Sequence, residues 1–171
     1  MVSVLDAGQV RPDVERIWEW IARVPDPEMP FISVVDLGIV REVGWVADVL
    51  RVVVTPTYSG CPAKLPIEEA IRCALNDQGI DRVTIENRLA PPWTTEWITP
   101  AGKAKLAAAG IAPPLPVGEG WQPLRFVPPA PPCPHCGSCA TRMTSEFGGT
   151  LCKSMYVCDD CLNPFEHFKC I

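Results

Sequence analysis

The chain has 171 residues, of which 47% are apolar and 20% charged, and 15 Lys+Arg against 20 Asp+Glu give it a formal net charge of −5. That length holds one ordinary domain and a small appendage, which excludes a large multidomain enzyme, and the apolar share excludes a largely disordered chain. The negative balance offers no general attraction for phosphate, so nucleic acid is not an expected partner.

The opening MVSVLDAGQV meets Asp6 before any apolar run of signal-peptide length, and nowhere do 18 uninterrupted apolar residues occur, so a cytoplasmic protein without membrane association is expected. Val14, Ile17, Trp18 and Ile21 form the stripe of an amphipathic helix over 13–24, closed by Pro25. Segments 39–45 and 48–56 are rich in β-branched residues, with Gly44 near the break, and read as two paired strands. Ile67, Ala70, Ile71, Ala74 and Leu75 line one face of a helix over 66–78, with Gly79 placed to end it. Segment 81–89 alternates as a third strand, and Thr99-Pro100 starts a short helix closed by Gly110. This order describes an α/β (α+β) domain over 1–110, a small mixed sheet covered by two helices. Eight prolines between 112 and 132 mark an extended connector, placed at 111–132, and 133–171 forms a separate cysteine-rich unit.

Seven of the nine cysteines fall in that last unit. Cys133-Pro-His-Cys136 and Cys158-Asp-Asp-Cys161 are two CxxC pairs with 21 residues between them, the spacing that lets two turns present four thiolates to one ion in a small zinc ribbon. In a reducing compartment such cysteines are more often ligands than disulfides. A unit this small cannot bury enough apolar surface to fold unaided, and a structural zinc substitutes for the missing core. Zinc is the first reading. Four thiolates also hold iron or an iron–sulfur cluster, and Cys139, Cys152 and Cys170 are spare thiols. Within 133–171 three basic residues face four acidic ones, which argues against a phosphate-binding ribbon.

Thr55-Pro-Thr-Tyr-Ser-Gly-Cys61-Pro62 joins a strand to the helix over 66–78. With Pro62 in the first helical turn, Cys61 is expected at the N-cap, beside unpaired N–H groups and the positive end of the dipole, which would acidify its thiol and make it reactive. Thr55, Thr57, Tyr58 and Ser59 supply hydroxyls around it. The alternative is a half-buried thiol without chemistry. Asp36 and the Asp26-Pro27-Glu28 loop are the acids expected to share a pocket with Cys61, unless they are caps or solvated side chains. Cys73 falls on the flank of the helix stripe and reads as core packing.

Asp26-Pro-Glu28, Asp36-Leu-Gly38-Ile-Val40 and Thr55-Pro-Thr-Tyr-Ser-Gly-Cys-Pro-Ala63 resemble the signature loops of the iron–sulfur assembly domain of SufT-type maturation factors. With Pro92-Trp-Thr-Thr-Glu-Trp97, the two knuckles, Thr144-Ser-Glu-Phe-Gly148 and Pro164-Phe-Glu-His-Phe-Lys-Cys-Ile171, the whole chain resembles the D-subunit family (PaaD) of the bacterial phenylacetyl-CoA epoxygenase system. The resemblance implies an accessory protein of aerobic phenylacetate breakdown without independent activity. Such a protein matures or repairs metal centres of an oxygenase with a di-iron catalytic subunit and a flavin and iron–sulfur reductase subunit, which would be its partners. It maps Cys61 onto a reactive loop cysteine, Asp36 onto the DLG aspartate, and Cys133, Cys136, Cys158 and Cys161 onto the ligands of a structural zinc. Cys152 and Cys170 fall in family motifs as additional ligand candidates, Cys139 lies outside them, and iron or an iron–sulfur cluster would be held transiently. A purely structural subunit is the alternative, and self-association as a homodimer is left open. An enzyme using Cys61 as nucleophile ranks last, because the two histidines, His135 and His167, both lie in the tail, far in sequence from a thiol that would need a base.

Overall fold

The computed structural model describes residues 11–58, 60–115 and 130–169. Ser59, the connector prolines at 116, 123, 128 and 129, and Cys170 lie outside the described residues.

Helix α1 (Val14–Ile21) begins where the Asp13 carboxylate accepts the Arg16 N–H at 2.7 Å, an N-cap, and buries Ile17 and Ile21. It ends earlier than the sequence pattern suggests, because Pro25 pairs with Ser33 as an isolated bridge and draws the following residues into an extended turn. Strands β1 (Val40–Val46) and β2 (Val49–Val54) form an antiparallel hairpin. The chain reverses at Ala47, in the left-handed region at φ 51°, and Gly44 stays inside β1 opposite Arg51. Helix α2 (Lys64–Asn76) buries Ile67, Ile71 and Leu75, and Gly79 at φ 83° turns the chain out of it. Cys73 is exposed. Two positions past Ile71, it sits about 200° around the helix from that buried side chain, so core packing is not its role. Strand β3 (Val83–Asn87) pairs parallel with β2. The expected mixed sheet is therefore present, in the order β1-β2-β3.

Helix α3 (Pro100–Ala108) is capped by the Thr99 hydroxyl, which accepts the Gly102 N–H at 2.9 Å. It docks on the domain through Leu106 and through Gly102, where a Cβ would meet the Asp36 carbonyl at 2.7 Å. The next residues, Ile111–Ala112, read as the start of the connector, form strand β4 instead. They pair parallel with β7 (Pro164–Phe168) because a two-residue extended segment finds free backbone groups on that edge. With β5 (Thr141–Ser145) and β6 (Lys153–Cys158) this gives a second sheet ordered β4-β7-β6-β5.

One apolar cluster runs through both sheets' territory: Ile111, Cys152 and Phe168 pack with Ile17, Leu37, Ile67 and their neighbours. Trp93 is the joint. Its indole N–H donates to the Leu37 carbonyl at 2.9 Å, and its ring lies 6.0 Å from that of Phe168. The cysteine-rich unit is seated on the helix-covered domain.

Candidate functional site

Two clusters of thiols stand apart. The first is the knuckle pair. Cys133 and Cys136 lie on a turn closed by the Gly137 N–H to the Cys133 carbonyl at 2.8 Å, with Gly137 at φ 77°. Cys158 and Cys161 lie on an equivalent turn closed by the Leu162 N–H to the Cys158 carbonyl at 3.0 Å, with Leu162 at φ 61°. The four sulfurs lie within 4.8 Å of one another, with Cys133 to Cys161 at 3.7 Å and Cys136 to Cys158 at 3.6 Å. A tetrahedron of thiolates around an ion with bonds near 2.3 Å has edges of about 3.8 Å, so the donor set fits one metal ion. Protons are crowded on these thiols. Against the bond from the Ser138 backbone, burial and the neighbouring thiols push Cys136 up to about 12, while donors from Asn163 help bring Cys161 down to about 6. Four thiolates at this separation need a cation to ionise together. Cys139 is exposed and outside the set.

The second cluster surrounds a cavity of about 10 Å³ between the two sheets' units, lined by Asp26, Glu28, Thr57, Cys61, Cys152 and Phe168 among others. Cys61 does not occupy the N-cap: α2 starts at Lys64 with Ala63 as cap, and Pro62 belongs to the preceding turn. The acidified thiol is likewise corrected. Burial pushes the Cys61 thiol up, the backbone N–H groups of Ala63 and Lys64 pull against it, and Glu28 and Asp26 add to the rise. Asp26 is buried, its Oδ1 accepting the Glu28 and Met29 N–H groups at 3.0 and 2.8 Å. Burial raises it as well, as it raises Glu28.

Asp36 is not in this cavity. Its carboxylate accepts the Ser33 hydroxyl at 2.9 Å, the Thr99 hydroxyl at 3.0 Å and the Lys105 ammonium at 2.5 Å. Burial pushes its carboxyl up, and these three donors outweigh that and hold it below the ordinary range. An acid already committed to three donors braces the start of α3. The Asp26-Pro27-Glu28 loop supplies the cavity's acids instead.

Cys152 joins Cys61 at the cavity and not the knuckles. Only 5% exposed, it stands just before β6. Its place outside both CxxC pairs sets it apart from the knuckle thiols, but the segment it faces is remote in the chain and no local signal points to it. The neighbouring Lys153 is buried too, its ammonium donating to Glu166 at 2.6 Å. His167 is buried beside Tyr156, its Nδ1 3.0 Å from the Ala112 carbonyl. Among the described residues no histidine lines the cavity.

Residues 14–86 match the family model described as iron-sulfur cluster assembly protein, and residues 124–169 match the PaaD zinc beta ribbon domain. A protein of Escherichia coli (strain K12), named as the D-subunit of 1,2-phenylacetyl-CoA epoxidase, is 42% identical over 160 residues that cover 94% of each chain. Among solved structures, the DUF59 domain of Bacillus anthracis superposes with a TM-score of 0.50 at 24% identity, over 54% of this chain and 89% of its own, a likeness of fold. A conserved hypothetical protein of Thermotoga maritima is 26% identical, with a TM-score of 0.48 over 56% of this chain and 95% of its own.

Proposed function

Because the chain belongs to the PaaD family, that of the 1,2-phenylacetyl-CoA epoxidase D-subunit, we propose that it is a cytoplasmic accessory protein of that oxygenase system. It delivers iron, as ion or cluster, to a centre of the oxygenase or reductase subunit, with Cys61 as the transfer thiol. The observation that carries this reading is the half-buried Cys61 over a cavity shared with Asp26 and Glu28, on a domain of the iron–sulfur assembly family. A site with few thiolates and open positions releases metal that a closed four-thiolate site retains. Among the described residues no helix is long and apolar enough to cross a membrane.

The knuckle set has the opposite character. Cys133, Cys136, Cys158 and Cys161 would hold zinc, which supplies folding energy, on the order of 10–16 kcal/mol, and no redox chemistry. Their task is to close two turns and order the strands between them. An independent thiol enzyme is disfavoured because, among the described residues, no histidine lines the Cys61 cavity, and His167 is engaged with Ala112 and Tyr156.

The test is Cys61→Ser co-expressed with the oxygenase and reductase subunits. Iron content and epoxidation activity of the purified complex are expected to fall while its subunit composition is unchanged. A wild-type yield of loaded enzyme would show that this chain only stabilises the assembly.

A further inference from the structure

Beside the Cys61 cavity lies a larger groove that the transfer role leaves unused. It has a volume of about 240 Å³ and runs between the loop after β2 and the loop after β3, with Thr55, Thr57 and Tyr58 on one side and Leu89 and Trp93 on the other. Thr57 walls both this groove and the Cys61 cavity. The geometry points to a binding site for an extended, uncharged polypeptide segment that lays an apolar side chain in the groove, the segment belonging to the client that receives the metal. This names the partner's chemistry for the transfer role proposed above and rests on that reading for the client's identity.

Three observations support it. The first is position. β2 and β3 are parallel neighbours joined through α2, and the groove lies just beyond their carboxyl ends at Val54 and Asn87, where open α/β sheets bind their ligands. The second is a pair of hydroxyls. Thr55 is 2% and Thr57 8% exposed, both line the groove, and no hydrogen bond to or from either hydroxyl is found among the described residues. A buried hydroxyl left unpaired is costly, and an occupant carrying N–H and C=O groups removes that cost. Thr55 precedes Pro56, which holds it extended, and two residues of extended chain span about 6.6 Å, the repeat at which an extended peptide presents its own backbone groups along one edge. The third is charge and size. No charged side chain among the described residues lines the groove, so a charged occupant would lose its hydration without gaining a partner. Its volume falls below the roughly 300–1,000 Å³ of pockets that enclose a whole small-molecule ligand and suits a side chain or two of a chain passing across it.

The arrangement also sets what the occupant meets. Leu89, 57% exposed at the rim, is an apolar contact that a monomer leaves uncovered, and a segment seated against it lies along the loop that leads from Thr55 to Cys61. Binding of the client and presentation of the transfer thiol are thereby tasks of one loop.

Short overlapping peptides covering the oxygenase and reductase subunits, fluorescently labelled and titrated with the full-length protein, test this by fluorescence anisotropy. Peptides with an uncharged core around one apolar residue are expected to bind saturably. The paired change Thr55→Val and Thr57→Val, which removes both hydroxyls and keeps the branching, should weaken binding about tenfold, and Leu89→Glu should abolish it, with circular dichroism and knuckle-metal content unchanged. Equal binding by wild type and both variants, or no saturable binding of any peptide below about 1 mM, would overturn the site. Self-association of the chain, read by sedimentation and lost in Leu89→Glu, would assign the groove to a second copy and overturn the client reading. Peptide binding together with full loading of the oxygenase by Cys61→Ser would remove the transfer role and keep the groove. Impaired loading by Cys61→Ser with no peptide bound would keep the transfer role and remove the groove.

Discussion

Replacing Phe168 by Ala removes the ring that joins the two units. Phe168 is 0% exposed, faces Trp93 at 6.0 Å and forms part of the wall of the Cys61 cavity. Truncation of a fully buried phenylalanine costs about 3–5 kcal/mol, of which the ring pair with Trp93 accounts for about 0.5–1.5. Against a total stability of about 5–15 kcal/mol for a domain of ordinary size, the loss is large enough to unseat β7 while α1, α2 and the first sheet keep their own core. Two measurements follow it. Urea unfolding can be monitored by the fluorescence of the six tryptophans, Trp93 among them. Alkylation of native protein, read cysteine by cysteine in a mass spectrometer, should show Cys152 passing from protected to reactive, with exposed Cys73 and Cys139 as internal standards. A loss below about 1 kcal/mol with Cys152 still protected would refute the view that this contact seats the ribbon.

Chelation of the knuckle metal, or Cys158→Ser, is expected to release β5 and β6 to rapid amide exchange while α2 stays protected, as followed by hydrogen–deuterium exchange. Asp36→Asn should lower stability by about 1–3 kcal/mol, discounted for the half-exposed Lys105 partner, in thermal denaturation near neutral pH. Because the folded Asp36 carboxyl lies below its unfolded value of 3.8, the wild-type advantage is present above that value and disappears as pH falls through and beneath it. His167 is driven by burial below its ordinary 6.5, against the bond to Ala112. Below that pH the unfolded chain takes a proton that the folded chain refuses, so stability falls with acid, and His167→Gln should flatten the slope between about pH 7 and 5 relative to wild type.

Local patterns carried much of this structure in the sequence. The apolar spacing of Ile67, Ile71 and Leu75 located α2, the β-branched runs located the hairpin, and the two CxxC pairs located the metal-binding knuckles, because each signal is spent within a few residues of its own effect. The errors share a cause. Placing Cys61 at a helix start predicts acidification only if solvent reaches the thiol and no acids stand near it, and both conditions depend on segments far along the chain. Asp36 sits in a motif that suggests a pocket, but its partners Thr99 and Lys105 become visible only once α3 is docked. Cys152 is identical in type to its knuckle neighbours, and only the packing of β7 against Trp93 sends it to the other site.

The parallel pairing of β4 with β7 also sets an order of events during synthesis. Ile111–Ala112 leave the ribosome well before Pro164–Phe168, and at about 5–20 residues per second the earlier strand waits several seconds for its partner. Until then α3 ends in an unpaired edge and the apolar surface around Trp93 is uncovered. Arrival of β7 closes that edge, fills the gap beside Trp93 and completes the wall behind Cys61 in one step, so the nascent chain has no finished cavity to load until its second sheet has been made.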